Sequence, residues 1–169
     1  MQTYDRDDIQ AWKLEHWPNR QWKKTLTFVT PLDGLDWYVP ALMECMPAFD
    51  SALVQAEPVM PSNPKTLAVM TELGIGSELD QLGGYLCESQ ETARKLFSAF
   101  IDDCYDVTLM PQPAQWCLTA DHDEYTTVFA SKPGKLSDLR GILIERSVKI
   151  VDGYTHNPPM KNGSTSIKP

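Results

Sequence analysis

Between Gln115 and Val151 the chain alternates apolar and polar positions more cleanly than anywhere else. The pattern predicts a strand from Trp116 to Thr119, an acidic turn at Asp121-His122-Asp123-Glu124 and a second strand from Tyr125 to Ala130. On that second strand Tyr125, Thr127 and Phe129 face one way, and Thr126, Val128 and Ala130 the other. Neither set is strongly polar, so the strand belongs inside a sheet rather than at its edge. After a break at Pro133-Gly134, Leu136, Leu139, Ile142 and Leu143 recur at helical period. Residues 147–151 either continue that helix or form another strand; Val148 and Ile150, alternating around Lys149, favour the strand.

The strongest helix signal runs from Ser89 to Cys104. Ala93, Leu96, Phe97, Phe100, Ile101 and Cys104 fall at steps of 3, 1, 3, 1 and 3, an apolar stripe of helical period. Residues 5–17 read as a helix with Ile9, Trp12 and His16 on one face and acids at its start, where the helix dipole favours them. Residues 24–30 read as a strand with Leu26 and Phe28 on one face and threonines on the other, closed by a turn at Pro31 and Asp33-Gly34. Pro40, Pro47, Pro58, Pro61 and Pro64 argue against a long element in that region, leaving room for a short helix over 48–56. Asn63-Pro64 is a helix start, Leu67, Met70 and Leu73 its buried stripe, and Gly74 its left-handed end. A short helix is expected over 77–80, closed by Gly83-Gly84, and a short strand over 107–110.

Helices and strands do not alternate regularly enough for a wound parallel sheet. The expected fold is α+β: a small, mainly antiparallel sheet with helices packed on one face. Residues 1–154 form the expected single domain, and residues 155–169, polar and rich in proline and glycine, a flexible tail.

Composition narrows the function. With 169 residues the chain has the length of one domain. No stretch approaches the roughly 18 apolar residues of a membrane span, and the N-terminus lacks an apolar signal core, so a cytoplasmic protein is expected. Cys45, Cys87, Cys104 and Cys117 lack the close spacing of zinc ligands and read as reduced, mostly buried thiols.

Charge is unevenly spread. Residues 1–30 carry five bases and four acids, and residues 132–169 seven bases and three acids; between them, residues 31–131 hold Lys65, Arg94 and Lys95 against sixteen acids. Such a middle repels nucleic acid and anionic membranes and attracts a basic protein.

No nucleophile elbow, phosphate loop or dinucleotide loop is present, and no cofactor is expected. Asp121-His122-Asp123-Glu124 is the densest run of ligand-type side chains, but consecutive residues at a hairpin tip diverge, which suits a solvated turn better than a metal site. Asp102, Asp103 and Asp106 gather at a helix C-terminus, where negative charge is disfavoured.

The profile is similar, at the level of class, to immunity proteins and antitoxins that neutralise a cationic toxin such as a nuclease. That reading makes Asp102, Asp103, Asp106, Asp121, Asp123 and Glu124 the acids that meet a basic partner, with Trp37 and Tyr38 as aromatic anchors. The alternatives are a metal-dependent hydrolase using the 121–124 cluster, or a structural or adaptor subunit of a larger, phage-derived assembly.

Overall fold

A computed structural model describes residues 1–16, 22, 24–57, 62–76, 83–103, 106–132 and 134–154. The expected helix over 77–80, the tail beyond 154 with His156, and Trp17 and Cys104 lie outside the described residues.

One antiparallel sheet takes strands from both ends of this range. Its seven strands are β1 (Gln2–Tyr4), β2 (Lys24–Val29), β3 (Ser51–Glu57), β4 (Gly83–Cys87), β5 (Asp106–Gln112), β6 (Trp116–Ala120) and β7 (Tyr125–Ala130), in the order β1-β4-β3-β5-β6-β7-β2. Among the described residues five helices accompany them: α1 (Arg6–His16), α2 (Leu35–Cys45), α3 (Pro64–Glu72), α4 (Gln90–Asp102) and α5 (Gly134–Glu145). The fold is therefore α+β. Residues 148–151 lie against the outer edge of β2, where Phe28 bridges Ile150 and Val29 N–H donates to Lys149 O at 2.9 Å.

Alternation divides the core into two layers. Ala52, Val54, Leu109, Leu118 and Val128 pack with Tyr38 and Leu42 of α2, Met70 of α3, Leu96, Phe97 and Phe100 of α4, and Leu139 and Leu143 of α5. Leu53, Met110, Cys117 and Phe129 point the other way and pack with Ile9 and Trp12 of α1. Helices on one face thus describes α2 to α5, while α1 covers the opposite face. Gly84 permits that cover, because a Cβ there would stand 2.5 Å from Ile9 Cγ1. Cys45, Cys87 and Cys117 are buried free thiols.

Three expectations need correction. Residues 51–57 form a strand, where a short helix over 48–56 was expected. This strand lies between β4 and β5, so Ala52, Leu53, Val54 and Ala56 are buried on both faces and show no alternation. Gly83 and Gly84, expected as a closing turn, are the first residues of a strand. Helix α2 runs through Pro40; the hydrogen bond lost there is offset by burying Tyr38, Val39, Leu42 and Met43. The starts of α3 and α4 follow the sequence reading: Asn63 Oδ1 accepts from the backbone N–H of Lys65 and Thr66, Ser89 Oγ accepts from that of Thr92, and Gly74 takes φ +71°.

On the α1 face a polar row crosses five strands. Gln55, Thr108, Thr119, Thr127 and Thr27 are register neighbours in that order. Thr27 and Thr127 join hydroxyls at 3.0 Å. Lys13 of α1, only 8% exposed, donates from Nζ to Gln55 Oε1 at 2.6 Å. Burial pushes the Lys13 ammonium down to about 8 from an ordinary 10.5. Below pH 8 it is charged in folded and unfolded chains alike, and the fold bears the full cost of burying it. Between about 8 and 10.5 the folded chain binds fewer protons, so stability gains with rising pH. Urea unfolding midpoints across this window are expected to rise for the wild type relative to Lys13→Met, with the variant the more stable at pH 7; parallel pH profiles would refute the assignment.

Candidate functional site

The acidic turn between β6 and β7 is tightly built. Asp121 N–H donates to Tyr125 O at 3.0 Å, Glu124 N–H to Asp121 O at 3.2 Å, and Tyr125 N–H to Asp121 Oδ1 at 2.9 Å. Glu124 closes the turn with φ +65°, a left-handed conformation unusual for a side-chain-bearing residue. Its carbonyl accepts from Thr30 N–H at 2.8 Å, which ties the tip to the end of β2. Tyr154 donates its hydroxyl to Asp121 Oδ2, and its ring packs against Tyr125 at a tilt of 32° with centroids 4.5 Å apart. Burial and that hydrogen bond hold the Tyr154 phenol well above its usual range.

Asp106, the first residue of β5, joins the tip through His122. Its Oδ1 accepts from His122 N–H at 2.9 Å and lies 2.8 Å from His122 Nδ1, while Nε2 stands 3.8 Å from Asp123 Oδ1. The hydrogen bond to Asp106, followed by the charges of Asp106 and Asp123, raises the imidazole above its ordinary 6.5. Among the described residues no lysine or arginine forms an ion pair with Asp106, Asp123 or Glu124. The tip is therefore strongly anionic, with one titratable cation at its centre.

Beside it opens a cleft of about 720 Å³ between the end of β2, the single 3₁₀ turn Leu32–Gly34, and the segment that follows α5. Trp37 walls it, together with Glu124, Asp33, Arg146 and Lys149. The Arg146 guanidinium lies 5.1 Å over the Trp37 ring, a cation–π contact. Ser147, which turns the chain out of α5, has φ +60°. Two of the side-chain-bearing residues with left-handed backbone, Glu124 and Ser147, thus line one cleft.

Of the eight predicted contact residues, five gather at this end of the sheet: Asp106, Asp121, Asp123 and Glu124 at the tip and Trp37 in the cleft. The other three are placed elsewhere. Tyr38 is fully buried and donates its hydroxyl to Thr126 Oγ1 at 3.1 Å, so it presents nothing to a partner. Asp103 is 9% exposed, and both its carboxylate oxygens accept from Asn63 N–H, at 3.1 and 2.9 Å; it anchors the start of α3. This contact also explains an acid at the end of α4, since the charge is held by a backbone donor. Asp102 lies on the α4 surface, 3.8 Å from Lys65 Nζ. Arg146, Lys149 and Tyr154 were not foreseen, because they reach the site only through the fold.

Among the described residues no three histidine, cysteine, aspartate or glutamate side chains converge as a metal ion needs. Nor is any described helix long and apolar enough to cross a membrane. A scan against protein-family models finds no match, and neither do searches of curated proteins and of solved structures.

A histidine raised by a carboxylate contributes stability below its ordinary value and loses that contribution as pH rises through the raised one. A proton NMR titration is expected to place His122 above 6.5 in the wild type and closer to 6.5 in Asp106→Asn. An unshifted His122 in the wild type would contradict the pairing.

Proposed function

We propose that this protein binds and neutralises a basic protein partner in the cytosol, in the manner of an immunity protein or antitoxin acting on a cationic toxin. One observation carries the reading: the carboxylates of Asp106, Asp123 and Glu124, which have no lysine or arginine ion-pair partner among the described residues, stand beside an aromatic-walled cleft. The acids steer a cationic surface toward the tip and speed encounter. Docking then places lysine or arginine side chains of the partner on Asp106, Asp123 and Glu124. Each such contact relieves the repulsion among neighbouring acids. The Trp37 cleft receives a side chain of the partner, and a half-buried indole supplies contact area at little entropic cost. The partner is inhibited by occlusion of the cationic surface with which a nuclease holds phosphate. The sheet supports this role by holding the tip on two interior strands, so that little ordering is needed on binding.

The test is affinity capture from the source lysate with wild type and with the double variant Asp123→Lys/Glu124→Lys, at low salt and at about 0.5 M salt, where surface charge is strongly screened. Wild type is expected to retain one dominant basic protein at low salt and release it at high salt. The variant should hold it at least about tenfold less well with an unchanged unfolding midpoint. Equal retention by the double variant would reject the tip as the binding surface.

A further inference from the structure

We infer that a pocket beside the start of α5 binds the phosphate group of a phosphate monoester. The pocket, about 170 Å³, lies at the opposite end of the β6–β7 hairpin from the acidic turn, among the segment after α2, the end of β7 and the first turn of α5. Its volume equals that of about six waters in the liquid, which admits a phosphate and a short organic substituent. Met46 and Pro47 form an apolar wall, and Gln115, Ser131, Lys132 and Lys135 supply the polar lining.

The charge of this pocket is one-sided. Lys132 and Lys135 line it, and no acid does. Among the described residues neither lysine forms an ion pair. Glu44 of α2 and Asp138 of α5 stand outside the lining and pair with neither. The first turn of α5 holds no acid either. A helix start favours negative charge and disfavours the ammonium of Lys135. Two cations are thus held where they repel each other, and an anion between them removes that cost.

Gln115 adds a neutral donor. It is partly exposed, its side chain has no hydrogen-bond partner among the described residues, and its amide offers two N–H groups. The frame around it is fixed. Ser131 gives its backbone N–H and its hydroxyl to Gln115 O, at 3.0 and 2.8 Å, and Trp116 gives its indole N–H to Pro47 O at 3.0 Å. A lining held in this way needs little ordering on binding. A phosphate monoester carries about two negative charges at neutral pH, which matches two ammonium groups. Lysine meets phosphate as a point charge, and no arginine is present to supply the planar fork that suits a carboxylate. Polymeric nucleic acid is repelled by the acidic middle of the chain. The pocket shares no residue with the acidic turn or the Trp37 cleft, so failure of either reading leaves the other standing.

The test is a titration of the full-length protein with glycerol 3-phosphate, with a blocked phosphoserine tripeptide and with acetate, read from backbone amide NMR shifts. The two phosphates present the same group as a small metabolite and as a modified protein chain, and the tighter binder identifies the source. A saturable shift centred on Ser131, Lys132 and Lys135 is expected with at least one of them. Lys132→Gln and Lys135→Gln are each expected to raise its Kd at least about tenfold. Arg140→Gln, which removes a cation of α5 outside the pocket, should leave the Kd unchanged. All three positions are exposed, and equal unfolding midpoints will show that the variants fold. The absence of a saturable shift with either phosphate overturns the assignment. So does an equal response to acetate, or a loss in Arg140→Gln as large as that in Lys135→Gln, because either would reveal a general cationic surface.

Discussion

The structure depends on a sheet whose middle strands are buried on both faces. Every residue of β6 is buried, as is every residue of β7 after Tyr125. Such strands cannot be covered from one side only. The chain therefore lays α2 to α5 against one face and returns α1, the first helix, to the other, where Ile9 sits on Gly84. The core bonds of the molecule are the ladders between these strands, since each buried backbone group must find a partner inside the sheet. Even Trp116, with its large indole, keeps its N–H satisfied, donating to Pro47 O at 3.0 Å.

The candidate site is a by-product of that rigidity. The β6–β7 turn can hold three acids close together, with Asp106 of β5 beside them, because the strands beneath it are fixed. Electrostatic repulsion at such a tip would splay a free loop. Here Tyr154 grips Asp121, Asp106 grips His122, and Thr30 holds the Glu124 carbonyl. The cleft beside it arises where β2 ends, the chain turns into α2, and residues 146–149 leave α5. Residues 29–37, Glu124 and residues 146–149, far apart in sequence, meet there, so it combines Trp37 and Arg146, residues with no local relation.

Local signals in the sequence were sound wherever a segment's environment is one-sided or its ends are marked. The apolar stripe of α4 has a solvent face to contrast with, and Asn63-Pro64 and Gly74 mark the ends of α3 through backbone chemistry that needs no tertiary contact. The β6–β7 hairpin carried its own turn. The same local reading failed at β3, where two-sided burial erased the alternation and Ala, Leu and Gln favour a helix in isolation. At β4 the two glycines that read locally as a closing turn begin the strand. In both cases hydrogen bonds to neighbouring strands outweighed intrinsic preference.

The residues themselves determined the class of fold, the acidic middle and the anionic tip, because periodicity and charge are properties of the chain. Only the tertiary structure decided which polar and aromatic residues reach the surface. Tyr38 and Trp37 are adjacent in sequence, yet Tyr38 lies wholly inside against Thr126 while Trp37 faces the cleft. Asp102 and Asp103 are adjacent too, yet one is exposed and the other binds the start of α3. Helix and strand geometry sends neighbouring side chains in different directions. What each then meets is set by elements that are remote in sequence, which no local pattern encodes.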